Sequence, residues 1–151
     1  MGWLDALLAY THFIAIIATV STVMTEAVLC RPGLTLPWAQ RLGRVDLLYL
    51  VTAALALTTG LLRLFFGIKG SAFYFGNPVF WVKISLFIAV GLISIIPTLR
   101  FMRWTKTLRA NHGAVIDERE LTGTARIIYG ELALLALIPL LAAFMARGFG
   151  W

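Results

Sequence analysis

Cysteine and acidic residues are scarce in this 151-residue chain, which has one cysteine and seven Asp or Glu residues against thirteen Lys or Arg. A single cysteine, Cys30, excludes an intrachain disulfide and a cluster of cysteine metal ligands. A glycine-rich phosphate loop, a paired-histidine metal motif and a nucleophile elbow are also missing. The sequence therefore excludes several common catalytic patterns, and we expect Cys30 to be an interfacial residue without a chemical role.

Apolar sequence is abundant, since 60% of the residues are hydrophobic and only 13% are charged. An ordinary soluble domain is about half apolar and about a quarter charged. Four apolar stretches reach the ~20 residues that a helix needs to cross a bilayer core. They cover approximately residues 3–29, 46–66, 79–99 and 124–145. We therefore predict an all-α protein, a single integral-membrane domain over 1–151 that folds as a four-helix bundle.

The formal net charge of +6 is unevenly distributed along the chain. Basic residues concentrate after the first span and around the connection between the third and fourth: Arg31, Arg41, Arg44, Arg100, Arg103, Lys106, Arg109, Arg119 and Arg126. Toward the other side of the bundle lie Arg63, Lys69, Lys83 and Arg147. The positive-inside rule then predicts cytoplasmic basic connections and periplasmic termini in a bacterial inner membrane. This distribution favours the lipid bilayer as a partner and argues against nucleic acid.

A polar stripe runs through the first apolar stretch. Four residues stand seven positions apart in it: Asp5, His12, Thr19 and Glu26. Seven residues are nearly two helical turns, so the four side chains share one face of a helix. A central charge in a membrane helix costs about 2.5–3.5 kcal/mol on insertion scales. We therefore predict that this face turns toward the interior of the bundle and not toward lipid.

An outer polar layer is predicted from the depth of His12, Arg63 and Lys83, given a helical rise of about 1.5 Å per residue. A neutral imidazole can ligate a haem iron. The two cations can bind an anionic group such as a haem propionate or a lipid phosphate. The alternative is that His12 only makes a hydrogen bond within the bundle and that Arg63 extends to the head groups.

An inner polar layer is predicted from Glu26, Asp46 and Glu131, with Tyr49 beside them. Two interpretations are open for this layer. The carboxylates either form ion pairs with nearby arginines, which fix the register of the helices, or line a path for protons.

A set of short motifs distributed along the chain resembles a known bacterial family. The motifs are Asp46-x-x-Tyr49, Gly60-x-x-Arg63, Lys69-Gly70, Phe73-Tyr74, Asn77-Pro78, Phe80-Trp81-x-Lys83, Pro97-Thr98 and Met145-Ala146-Arg147-Gly148. They resemble the predicted four-helix membrane proteins called domain of unknown function 2214, over essentially the whole chain. This resemblance implies the fold and the membrane location and supplies no activity.

A more distant similarity concerns the histidine early in the first helix and the Trp81-x-Lys83 motif at the start of the third span. These positions look like the haem-binding, oxygen-independent protoporphyrinogen oxidases, which are four-helix membrane proteins. By resemblance, His12 would ligate haem b and Lys83 would be functionally important. The Asp46/Arg63 pattern and the long connection after the third span depart from that family.

Three hypotheses of function follow from the sequence. In the first, His12 ligates haem b inside the bundle, Arg63 and Lys83 neutralise its propionates, and the inner layer passes protons during electron transfer or porphyrin redox chemistry. In the second, the chain is a non-catalytic subunit of a larger membrane complex. In the third, it is a small proton-coupled transporter that uses Glu26 or Glu131, and that would require a homodimer to enclose a pathway.

Overall fold

The fold is entirely helical in the part of the chain that the structure, a computed structural model, describes, namely residues 2–68 and 70–150. The helices in that part are α1 (Gly2–Leu29), α2 (Leu36–Phe66), α3 (Gly70–Phe75), α4 (Pro78–Ala110) and α5 (Glu118–Ala146). The four long helices are apolar and long enough to cross a membrane. The predicted all-α class and the four membrane-length helices are therefore confirmed. Lys69, which we expect on the outer side, lies outside the described residues.

Helix boundaries follow local sequence signals. Helix α1 ends before Pro32, and Gly33 then adopts a φ of 78°, which glycine tolerates because it has no Cβ. Helix α2 carries Pro37 in its first turn, where the missing N–H would have no helical partner. Asp117 caps the start of helix α5, and its carboxylate accepts a hydrogen bond from the backbone N–H of Arg119 at 3.0 Å.

The long helices form a closed ring in which neighbours run in opposite directions. Helix α1 packs against α2 and α5, and α4 packs against the same two helices. The α1–α2 and α4–α5 connections share one end of the bundle, which we call the basic end. The start of α1, the short helix α3 and the end of α5 share the opposite end. Polar side chains from all four long helices can therefore meet in one interior.

Two helices extend well beyond the spans that hydrophobicity predicts. Helix α2 begins at Leu36, before the predicted start at residue 46, and α4 continues to Ala110, past the predicted end at residue 99. The additional turns build an apolar core at the basic end around Phe101 and Trp104, each 1% exposed. A count of apolar residues misses these turns because only their inward face is apolar.

Most of the apolar surface of the bundle faces outward. In each candidate span only 11–17% of the most apolar window is buried inside the bundle. Large outward residues such as Ile17, Leu50 and Leu92 are at least 60% exposed. An apolar outer surface of this kind is suited to contact with lipid tails. The polar side chains occupy the few positions that face the interior.

We expect Asn77 to stabilise the opposite end of the bundle. Its Oδ1 accepts from the backbone N–H of Val79 at 2.9 Å, and its Nδ2 donates to the Phe149 carbonyl at 3.0 Å. Because Asn77→Ala removes the cap of α4 and leaves a carbonyl unpaired, it should destabilise the protein by about 1–3 kcal/mol. Thermal unfolding in detergent measures this loss. Asn77→Asp keeps the cap alone and should be intermediate, whereas a wild-type melting temperature for Asn77→Ala would contradict the expectation.

Candidate functional site

The polar stripe of α1 lies on the buried side of that helix. Thr19 and Glu26 are both 2% exposed, and His12 and Asp5 are partly buried. Thr19 satisfies its own hydroxyl by donating to the Ala15 carbonyl at 2.8 Å. The seven-residue spacing therefore produces an inward face, because it matches nearly two turns of the helix.

Three acidic side chains meet in the half of the interior nearer the basic end. Glu26 comes from α1, Asp46 from α2 and Glu131 from α5, and each interacts electrostatically with the other two. Tyr49, 6% exposed, interacts electrostatically with all three carboxylates. We call these four residues the carboxylate cluster. The sequence assigned all four to one layer, and the structure brings them together.

Hydroxyl groups surround this cluster. The Thr98 hydroxyl donates to Oδ1 of Asp46 at 2.8 Å, and Ser94 on the same helix lies near Tyr49. Arg100 points its guanidinium at the Thr124 hydroxyl, 2.8 Å away, and not at a carboxylate. Helix α4 thus supplies neutral donors to the cluster.

The ion-pair interpretation of this layer finds no support in the contacts. Within residues 2–68 and 70–150, the one ion pair between side chains joins Arg103 and Glu120 near the surface of the basic end. Neither Glu26 nor Glu131 pairs with an arginine there. The negative groups are therefore not neutralised by cations, and another explanation for their burial is required.

Two carboxylate oxygens in the cluster have no hydrogen-bond partner among the residues that the structure describes. They are Oε1 of Glu26 and Oε1 of Glu131, which belong to side chains only 2% and 1% exposed. An unpaired buried polar atom is costly, and an unpaired buried charge costs far more. These two oxygens are thus able to accept a hydrogen bond or bind a proton.

His12 packs closely on α2. Its Nδ1 lies 3.0 Å from the Thr59 hydroxyl, which itself donates to the Leu55 carbonyl at 2.6 Å. Because that hydroxyl has only one hydrogen, Nδ1 of His12 is the donor in the contact. The ring also covers Gly60, where a Cβ would come within 3.1 Å of Cε1. Gly60 is therefore required for this close approach, and with Nδ1 donating, Nε2 is the acceptor nitrogen of a neutral ring.

Arg63 and Lys83 lie beside His12 at the opposite end, one on α2 and the other on α4. They interact electrostatically with His12 and with each other. The Nε of Arg63 is buried and has no hydrogen-bond partner. The structure thus brings together all three residues assigned to the outer layer and separates them from the carboxylate cluster.

A small apolar cavity lies between the two layers. Its volume is about 30 Å³, and it is lined by Ile16, Thr19, Val20, Ala56, Phe87, Leu135 and Ile138. Cofactor sites typically occupy about 300–1,000 Å³. A haem inside the bundle beside His12 would therefore require these helices to separate. The described residues also contain no group of three or more His, Cys, Asp or Glu side chains that could hold a metal ion.

Comparison with known proteins identifies one family. A family model described as a predicted membrane protein (DUF2214) matches residues 4–150. The chain belongs to this family. No curated protein and no solved structure matches this DUF2214 protein, and the comparisons give no support to a similarity with the haem-binding oxidases. The family establishes a membrane protein and leaves its activity open.

The sequence did not identify the hydroxyl partners of the site. Thr59 and Thr98 hold His12 and Asp46, yet threonine is common in apolar helices and usually bonds to its own backbone. Their positions in the sequence could have indicated them. Thr59 comes directly before Gly60, and Thr98 directly follows Pro97 in a motif that resembles the family.

Cys30 of this DUF2214 protein should be unreactive when the protein is folded. Burial raises the pKa of its thiol to about 11, and Sγ lies 3.5 Å from the Leu121 carbonyl. A rise from 9.0 to about 11 lowers the thiolate fraction near neutral pH by about 100-fold. Maleimide labelling of the native protein at pH 7.5 should be slower by at least that factor than labelling in denaturing detergent. Equal rates in the two states would contradict the buried position.

Proposed function

We propose that this DUF2214 protein is a small proton-coupled transporter of the bacterial inner membrane, with periplasmic termini, and that its carboxylate cluster carries the proton. The observation that supports this function is the pair of unpartnered oxygens on Glu26 and Glu131. Two neighbouring helices, α1 and α5, supply these acids, and neither acid is neutralised by a cation in the described residues.

The energy of buried charge makes a proton the natural ligand of the cluster. Three interacting carboxylates in a membrane interior cannot all be ionised without a large desolvation and repulsion penalty. A proton removes one charge and converts an unpaired acceptor into a donor. A proton also needs no cavity to bind. This suits an interior in which the cavity beside Thr19 has a volume of only about 30 Å³.

The apolar layer beyond the cluster favours coupled transport over a simple proton leak. The small cavity between the cluster and His12 is lined almost entirely by apolar side chains, which offer water few hydrogen-bond partners. A proton on Glu26 or Glu131 therefore faces a mainly apolar layer on the way to His12 in this conformation. A conformational change that opens this layer would release the proton at the opposite end, which is the requirement for alternating access.

Proton flux into liposomes tests the proposal. Purified protein is reconstituted with a pH-sensitive dye inside, and an acidic external buffer drives protons inward in the presence of candidate solutes. Glu26→Gln and Glu131→Gln should each lower the rate at least 10-fold, because glutamine keeps the shape and cannot exchange a proton. The matched control is Glu118→Gln, an exposed acid on the same helix as Glu131, which should keep the wild-type rate.

Two outcomes would contradict the transporter. The first is a wild-type rate equal to that of empty liposomes, with and without added candidate solutes. The second is a wild-type rate in both Glu26→Gln and Glu131→Gln. Circular dichroism and size exclusion on each variant show whether a lost rate reflects misfolding, and infrared spectroscopy of the carboxyl carbonyl band reports directly whether the two acids hold protons.

Haem b binding by His12 is the second candidate function. The observation that favours it is the contact to Thr59, which fixes the hydrogen on Nδ1 and leaves Nε2 as a ligand atom, as in many histidine metal sites. Arg63 and Lys83 would then lie near the propionates. Haem would supply one-electron redox chemistry to such a protein.

The visible spectrum of the purified protein separates the two candidates. Haem ligation predicts a Soret band with reducible α and β bands that are lost in His12→Ala. If protein from haem-replete cells shows no Soret band, this candidate is eliminated. The proton-flux measurement on the Glu26 and Glu131 variants is independent of this spectrum.

A further inference from the structure

We propose that Arg63 and Lys83 form a binding site for the phosphate group of an anionic ligand at the opposite end of the bundle. We call these two residues the cationic pair. The site does not depend on proton transport, because it uses none of the residues of the carboxylate cluster.

The first observation is that the cationic pair has no neutralising partner. Neither side chain forms a hydrogen bond or an ion pair with another residue in the described ranges, and the buried Nε of Arg63 has no acceptor. The two cations are nevertheless close enough to interact unfavourably. Two like charges held together in a partly buried place are stabilised when an anion lies between them.

The second observation is that no acidic side chain among the described residues pairs with either cation. Of the seven acidic residues in the chain, Asp5 is the one at this end of the described bundle. Oδ1 of Asp5 accepts a hydrogen bond from the backbone N–H of Ile68 at 3.3 Å, and Asp5 forms no ion pair with Arg63 or Lys83. The cationic pair is therefore available to a ligand from outside the chain.

Aromatic rings position the two cations without using their hydrogens. The Arg63 guanidinium carbon lies 5.8 Å from the centre of the Phe13 ring, and Nζ of Lys83 lies 5.6 Å from that of Phe80. A ring face attracts the charge and accepts no conventional hydrogen bond, so the N–H groups are free to donate. A planar guanidinium fork together with an ammonium suits the oxygens of a phosphate.

The position of the pair suits either a lipid head group or a soluble anion. Arg63 is in the last turns of α2, and Lys83 is in the second turn of α4, so both lie near the end of the apolar helices. Phosphate is the chemistry that the two sources share. Inorganic phosphate and short-chain phosphatidylglycerol are therefore the two probes that distinguish them.

Binding to delipidated protein in neutral detergent tests the site. Each probe is titrated at constant ionic strength, and the dissociation constant is read from the rise in melting temperature and from calorimetry. We expect saturable binding of at least one probe. Arg63→Gln and Lys83→Gln should each weaken it about 10-fold, which corresponds to the loss of one charged hydrogen bond. Lys106→Gln, an exposed lysine at the basic end of α4, is the matched control and should bind as the wild type does.

Each outcome decides the proposal. Saturable binding of inorganic phosphate identifies a soluble anion as the source, and binding of phosphatidylglycerol alone identifies a lipid head group. The proposal is overturned if neither probe binds, or if Lys106→Gln weakens binding as much as the two site variants. Should Arg63→Gln fail to fold, Arg63→Lys retains the charge without the fork, and affinity equal to that of the wild type in this variant would overturn the role of the guanidinium.

Discussion

The high free energy of an unpaired polar group in a low-dielectric interior governs this molecule. A bilayer core offers no water, so each ionisable side chain must lie inside the bundle or reach a head-group layer. Asp5, His12, Thr19 and Glu26 satisfy this requirement on one face of α1, because a seven-residue spacing keeps them aligned. The outward faces are almost wholly apolar. The chemical character of the interior is therefore determined by a few polar positions.

The same constraint explains the placement of small residues and threonines. Gly60 lets the His12 ring lie directly on α2, and Thr59 then meets Nδ1 at 3.0 Å. Thr98 performs the corresponding role for Asp46 on the other side of the interior. Helix packing in membranes depends on such close approach and on hydrogen bonds between helices, since lipid removes most of the hydrophobic drive for association.

Sequence reasoning predicted the helices better than their ends. Hydropathy identified four membrane-length segments, because a helix that crosses the bilayer core must be apolar over about 20 residues. It did not identify the turns of α2 before Asp46, because amphipathic turns outside the bilayer follow the rules of soluble cores. The alignment of Glu26 with Thr19 could be predicted from spacing alone. The contacts of Thr59 and Thr98 could not, since they depend on how two helices are rotated against each other.

The two polar layers have opposite formal charge, and this arrangement constrains any mechanism. Carboxylates lie nearer the basic end and the cationic pair nearer the opposite end, with an apolar gap between them. One proton in the first layer lowers its negative charge, and one anion in the second lowers its positive charge, without moving net charge through the gap. A conformational change that carried the two together would avoid the penalty of an unpaired charge at the centre of the membrane. The separation of the layers therefore favours coupled, electroneutral movement over independent passage of either ion.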